Sequence, residues 1–503
     1  MKTLIACVLV SVLAAQNFTL ITSGEIATDT TNTNGASWID FNNDGYIDLF
    51  LSNASAPFGM NSLYENDGKG GFRRIKEGEL VNLQTNTFGN TWADYDNDGK
   101  IDAFIVNAFS KQGSLLYQNL GNGKFRRNEF FDIGQSSVNG FNAVWADYDN
   151  DGNVDIFITH PAGFVGKPQT SNFLFHNDGG GFFSSIISTP VTGPVAPFTN
   201  ATWTDFDLDG DMDLFIGSGP ANGTVSPDFI YKNMLKENGK VGFVRMTNEI
   251  FTKDSLDGQT WNWIDIDGDG DLDGYVTNWG GSLGGLPNNL YRNDNGTYVR
   301  VRDGAIVTDK AVSLPNVWAD FDNDGDLDCY VGNAGGGKNR YYRNDGKGNF
   351  TSEENGHFVN QISNNWALTV GDYDNDGDLD LFVGTKTGYI GGKNLANLLY
   401  RNDLDNGNKW IIIRCEGKES NRSAIGTKLW ISATINGKKS RLYREVGANA
   451  TFLGQNDLRA HFGLGDAKQI DELEVIWPNG KKQSFKSVKV NKIYHLVEGD
   501  QLQ

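Results

Sequence analysis

Oxygen-bearing side chains recur in this sequence at a spacing suited to gripping a divalent cation. The segment opening at Asp40 carries Asp40, Asn42, Asp44 and Asp48 at positions 1, 3, 5 and 9, with Gly45 at position 6. Six further copies put aspartate at all four positions. They are Asp94, Asp96, Asp98 and Asp102; Asp147, Asp149, Asp151 and Asp155; and Asp205, Asp207, Asp209 and Asp213. The rest are Asp265, Asp267, Asp269 and Asp273; Asp320, Asp322, Asp324 and Asp328; and Asp372, Asp374, Asp376 and Asp380. Alternate spacing turns these side chains onto one centre, and glycine permits the sharp bend. The backbone carbonyl at position 7 adds a ligand, from Tyr46, Lys100, Asn153, Asp211, Asp271, Asp326 and Asp378 in turn. Calcium takes about six to eight hard oxygens in a flexible cage, whereas magnesium demands stricter geometry. About seven Ca²⁺ are therefore expected, one for each loop.

An EF-hand would need a bidentate glutamate at position 12. This chain has Leu51, Ile105, Ile158, Ile216, Val276, Val331 and Val383 there. Position 8 is also apolar throughout, from Ile47 to Leu379, so each loop runs into a strand instead of a helix. Converging carboxylates repel one another unless a cation or protons neutralise them. The formal charge of −20 follows from the loops, because seven divalent ions would cancel fourteen of those charges. So acidic a chain offers no basic face for phosphates, which excludes a nucleic-acid partner.

The elements that hold the loops repeat with them. Successive copies start 54, 53, 58, 60, 55 and 52 residues apart. Each is followed by a second element, first seen as Leu63-Tyr64-Glu65-Asn66 and last as Leu399-Tyr400-Arg401-Asn402, and then usually by a Gly-rich turn and an aromatic residue. Each unit therefore holds about four short strands between turns, which is a propeller blade. The stretch from Phe18 to Gly24 resembles that from Phe72 to Gly78, while the last copy lacks its own final strand. An N-terminal strand is expected to complete the seventh blade and seal its edge. The fold class is all-β: a seven-bladed β-propeller closed by an N-terminal strand, followed by a small β-rich C-terminal domain.

Met1, Lys2 and an apolar run from Leu4 to Leu13 ending in Ala14-Ala15-Gln16 read as a secretory signal peptide cleaved near Ala15. The run is shorter than the roughly 20 residues needed to span a bilayer. The expected organisation is a signal peptide at 1–15, the propeller at 16–408 and a β-domain at 409–503. With Cys7 in the leader, Cys329 and Cys415 make no disulfide framework, and Cys329 stands where other repeats place an aliphatic residue. In the last segment, alternating runs such as Trp410 to Ile413, Lys428 to Ile431 and Leu473 to Trp477 are separated by turns at Asn436-Gly437 and Asn479-Gly480.

The seven D-x-[DN]-x-D-G-x-x-D loops resemble the FG-GAP/VCBS repeats of integrin α-subunit propellers and their secreted relatives, over roughly Phe18 to Asn408. The later order Ala424-Ile425-Gly426, Val446-Gly447, His461 to Gly465 and Val475 to Gly480 resembles the ASPIC/UnbV domain. The combination is similar to the cartilage acidic protein family. The resemblance implies an extracellular calcium-binding protein of matrix or cell-surface contacts. Some animal members add a Cys-rich EGF-like module, and this chain ends at Gln503 without one. Animal cartilage biology is therefore not carried over.

His160, His176, His357, His461 and His495 are isolated in sequence, and no nucleophile elbow, zincin motif or phosphate loop occurs. A packed structural role is expected for His461. The reading is a secreted monomer that binds an extracellular protein or glycan and is not an enzyme. The rival is a calcium-dependent polysaccharide hydrolase or lyase, which would need a carboxylate pair outside the cages, about 5–10 Å apart in a groove. Candidate partner loops are Gly280 to Asn289 and Pro161 to Ser171. Sequons at Asn17, Asn53, Asn200, Asn222, Asn295, Asn349, Asn421 and Asn449 fit a glycoprotein.

Overall fold

Short β-branched and aromatic runs cut by Asp-Gly and Asn-Gly turns have one stable outcome here, a ring of small antiparallel sheets. The computed structural model describes residues 18–54, 59–108, 113–128, 133, 139–162, 170–219, 226–386, 396–448 and 450–503. The leader at 1–15, most of the 161–171 loop and the sequons at Asn17, Asn222 and Asn449 lie outside the described residues. No helix among the described residues is long and apolar enough to cross a membrane.

The first blade is typical. Its innermost strand Thr33–Ile39 pairs with Asp48–Asn53, then come Ser62–Asn66 and Phe72–Ile75, all antiparallel. Five further blades repeat this order. In the seventh, Phe18–Leu20 pairs with Leu398–Asn402 in the register Phe18↔Asn402, so the N-terminal strand closes the ring as expected. The long innermost strands are buried at nearly every residue, because each packs against neighbouring blades and the filled channel. Aromatic residues at loop position 2 join one blade to the next: Tyr373 stacks on Trp38, Tyr95 on Trp145 and Tyr148 on Trp203. Cys329 is buried in this packing.

The C-terminal segment folds as two sheets. Lys409–Glu416 lies between Ala460–Gly465, antiparallel, and Lys492–Val497, parallel. The second sheet runs Lys438–Glu445, Lys428–Ile435, Ile470–Ile476, Lys482–Val488. Ile411, Leu429, Phe462, Leu473 and Trp477 fill the core between them.

This domain does not stand apart. Its hairpin of Ala450–Thr451 and Gly454–Gln455 enters the propeller's axial channel and joins the first blade's sheet, with Ser37 beside Gln455 in parallel pairing. Asn262 grips Ala450 through both backbone groups, Asn200 accepts from the Leu453 N–H, and the Asn90 N–H donates to the Leu453 carbonyl. Phe452 and Leu453 at the tip are buried against Phe88, Phe141, Trp279 and Leu314. Asn200 is thus consumed by the hairpin, and Asn53 and Asn421 are also buried, so these three sequons cannot carry a glycan in the folded chain. Asn295 and Asn349 are exposed.

Candidate metal centres

The seven acidic loops all join an innermost strand to the next one, and so gather on one end of the propeller. Their internal hydrogen bonding is nearly uniform. In every loop the position 1 carboxylate accepts from the N–H groups of positions 5 and 6, as Asp40 does from Asp44 and Gly45. The position 7 N–H donates to position 5, as Tyr46 does to Asp44. Glycine at position 6 takes φ between 88° and 109°, which residues with a Cβ adopt only with strain.

In several loops the expected ligand carboxylates cluster. Carboxylate oxygens of Asp94, Asp96 and Asp102 lie within 4.8 Å of one another, as do those of Asp205, Asp207 and Asp213. A cation fits the leftover oxygens as well: Asp213 Oδ2, Asp267 Oδ1 and Asp374 Oδ1 are buried and accept no hydrogen bond. Burial pushes the carboxyls of Asp48 and Asp102 up to about 9 and that of Asp273 to about 8, with neighbouring aspartates adding to the shift.

The sign of the pH effect follows. A carboxyl raised on folding stabilises the folded state most below its unfolded value near 4, and that stability is lost as pH rises through the folded value. Without metal, the protein is expected to melt at a higher temperature at pH 5 than at pH 8. With calcium present the order reverses, because the ion binds only the ionised carboxylates. Melting curves at both pH values, with and without chelator, check both signs.

Two sets of residues that sequence reasoning passed over tie the loops into a ring. The asparagine ending each Leu-Tyr-x-Asn element donates its backbone N–H to the position 9 aspartate, as Asn66 does to Asp48. In six blades its side chain also donates to the position 2 carbonyl of the preceding blade, and Asn66 closes the circle on Tyr373. In six loops the position 4 residue sits at φ near +58°, and the asparagines there reach the next loop: Asn43 to the Gly99 carbonyl, Asn97 to Gly152, Asn150 to Gly210, Asn323 to Gly377 and Asn375 to Gly45. The recurrence of Asn at both places was the available signal.

The fourth loop breaks the pattern with Leu208 at φ 58°. A branched side chain there costs about 1–2 kcal/mol. Leu208→Asn is expected to add about 1 kcal/mol of stability, read as a small rise in melting temperature in calcium. The same loop has an acid that its spacing did not reveal, Glu237, within 4.8 Å of Asp209 and Asp211.

The C-terminal domain sits on this ring. The Arg414 guanidinium meets Asp40 and Asn43, the Asp94 N–H donates to Ser423 Oγ, and the Lys428 ammonium lies 2.7 Å from the buried Asp205 carboxylate. Arg459 holds the Asp372 carbonyl and Asn375, and His461 Nε2 lies 3.0 Å from the Gly377 carbonyl. His461 is a packed structural residue, with burial holding its ring to about 3.

Residues 40–105, 94–158 and 320–383 match the FG-GAP-like repeat, and residues 417–503 match ASPIC and UnbV. The chain carries FG-GAP-like repeats and a C-terminal ASPIC and UnbV domain. The repeat matches take in the five loops with asparagine at position 4 and leave out the fourth and fifth, which have Leu208 and Gly268. Cartilage acidic protein 1 of Xenopus tropicalis is 24% identical over 505 residues, covering 89% of this chain and 70% of that protein. Cartilage acidic protein 1 of Homo sapiens is 25% identical over 448 residues, covering 80% of this chain and 62% of that protein. The solved structure of BBS1N in complex with ARL6DN shares 10% sequence identity at a TM-score of 0.43, over 77% of this chain and 97% of that one. The FG-GAP loops and the ASPIC and UnbV domain thus meet face to face in one chain.

Proposed function

We propose that this is a secreted protein in which calcium fills the FG-GAP loops and stiffens the propeller, and whose role is to bind an extracellular protein or glycan. The observation that carries the reading is the seat of the C-terminal domain on the loop end. Arg414, Lys428 and Arg459 touch the first, fourth and seventh loops from that domain, so ions there would serve as structural rivets. The opposite end is left to the longer inter-strand connections. One of them, around Gly280 to Asn289, is braced by pairing of Leu286–Pro287 with Lys310–Ala311 and presents an exposed Leu283.

The binding reading is favoured over the polysaccharide-cleaving one by the state of the carboxylates at the domain seam. A cavity of about 390 Å³ there is lined by Glu416 and Asp457 outside the cages. Glu416 pairs with Arg422 and His495, and Asp457 with Arg459, so both are committed to ion pairs and ill suited to acid–base work. The similarity to cartilage acidic protein 1 supports a matrix-type setting. The test is binding of the mature protein, in calcium, to panels of matrix proteins and glycans. Leu283→Asp should abolish binding of whichever ligand is captured without moving the melting temperature. Turnover of a polysaccharide by the same preparation would overturn the reading.

A further inference from the structure

The cavity at the domain seam has a floor and a rim of opposite character. Its volume of about 390 Å³ falls in the range of about 300–1,000 Å³ that holds drug-sized ligands. The propeller contributes Trp38 and Ile47 to its lining, and the C-terminal domain contributes Leu458 and Ile493, so the space exists only while the two are docked. Trp38 and Ile47 are buried, whereas the side chains of Arg414 and Arg422 are 37% and 38% exposed. The floor is therefore apolar and the rim carries guanidinium groups. Pockets for small molecules are built this way, with apolar walls for affinity and a few polar groups for orientation.

The polar capacity left over at the rim is that of donors. Glu416 is one carboxylate shared between Arg422 and His495, and Asp457 is held by Arg459. Asp94 accepts from the Asp98 and Gly99 N–H groups, and Asp40 from those of Asp44 and Gly45. The Arg414 guanidinium keeps only a 3.4 Å contact with Asp40, and Arg422 Nε has no hydrogen-bond partner. A guanidinium has five N–H donors, accepts nothing and cannot lose its proton, so only an acceptor completes it. An ionised acceptor makes the stronger bond, and a carboxylate matches the planar fork.

We propose that the seam cavity binds a small amphipathic carboxylate, with its apolar body against Ile47, Leu458 and Ile493 and its carboxylate at Arg414 and Arg422. This site lies at the loop end, away from the partner surface placed at the opposite end, and is independent of it. Because both domains line the cavity, an occupant also fastens the cap to the ring, and the melting temperature rises with ligand concentration.

The experiment titrates the full chain, in saturating calcium, with octanoate and with 3-phenylpropionate, each against its neutral counterpart, octanol or 3-phenylpropanol. Calorimetry is expected to show saturable uptake of one acid per chain, with the matching alcohol about 10-fold weaker or more. Arg422→Lys keeps a positive charge facing Glu416 but loses the fork, and should weaken the acid about 10-fold while leaving the alcohol unchanged. Ile493→Trp fills the cavity and should abolish uptake of both, with a melting temperature in calcium that shows the fold intact. Uptake of octanoate alone would identify the apolar body as an acyl chain, and uptake of 3-phenylpropionate alone as an aromatic ring; either supports the site. No saturable uptake of either acid would overturn the proposal. So would equal affinity for acid and alcohol, or binding that neither substitution changes.

Discussion

Withdrawal of calcium is expected to lower the melting temperature of the mature protein by about 15 °C or more. The loops concentrate 27 carboxylates at the expected ligand positions on one end of the propeller, many of them shielded from water. An ion that binds the folded chain at 100 times its dissociation constant adds about 2.7 kcal/mol, so seven independent ions add roughly 19 kcal/mol. An ordinary domain is stable by only about 5–15 kcal/mol in all. The cages cannot simply stand open without metal, because Asp44 and its counterparts are held by their own backbone in converging geometry. Protons are one substitute beside cations such as the Lys428 ammonium at Asp205, and burial lifts Asp94 to about 7 and Asp48 to about 9. Melting curves in calcium and in excess chelator, with elemental analysis of the same samples, decide the matter. An unchanged melting temperature with no bound metal would sink the calcium reading and leave the loops as an acidic surface.

The loops and blades were legible because their signals are local. Asp-x-Asp-x-Asp-Gly fixes a turn within nine residues, and Leu-Tyr-x-Asn marks the next strand but one. Even ring closure left a trace, since Phe18 to Gly24 repeats the pattern of Phe72 to Gly78. The docking of the second domain left none. Lys428, Arg414 and Arg459 lie in or beside alternating strands, where a charge ordinarily faces water, and the loop aspartates they meet are 87 to 374 residues away along the chain. Asn200 and Asn53 fit a glycosylation motif, and only their burial shows that packing has claimed them. The hairpin sequence Ala-Thr-Phe-Leu-Gly-Gln reads as an ordinary apolar turn, because nothing near it in the chain records the channel it fills.

That hairpin sets the second large effect. Where it passes the first blade, two backbones run too close for side chains. A Cβ on Gly454 would stand 2.0 Å from the Ala36 carbonyl oxygen, and one on Gly35 would stand 1.8 Å from that of Leu453. Neither obstacle is a flexible side-chain end, so Gly454→Val must displace the hairpin or the innermost strand. The hairpin is the cheaper to move, because the strand Thr33–Ile39 is locked into its blade by pairing with Asp48–Asn53. Expulsion exposes Phe452 and Leu453, each worth about 1.5–3 kcal/mol of burial. It also strands the buried amides of Asn90, Asn200 and Asn262, which now bond the hairpin, at about 1–3 kcal/mol for each group left unpaired.

Gly454→Val is therefore expected to undock the C-terminal domain. Protease should then cut the connecting residues 403–408, and small-angle scattering should show a longer particle. The calcium content of loops untouched by the cap should hold. Phe452→Ala separates packing from threading: it should cost about 3–5 kcal/mol yet leave the particle compact. A Gly454→Val protein that stays compact and protease-resistant, with its melting temperature unmoved, would mean that the hairpin is not what fastens the two domains.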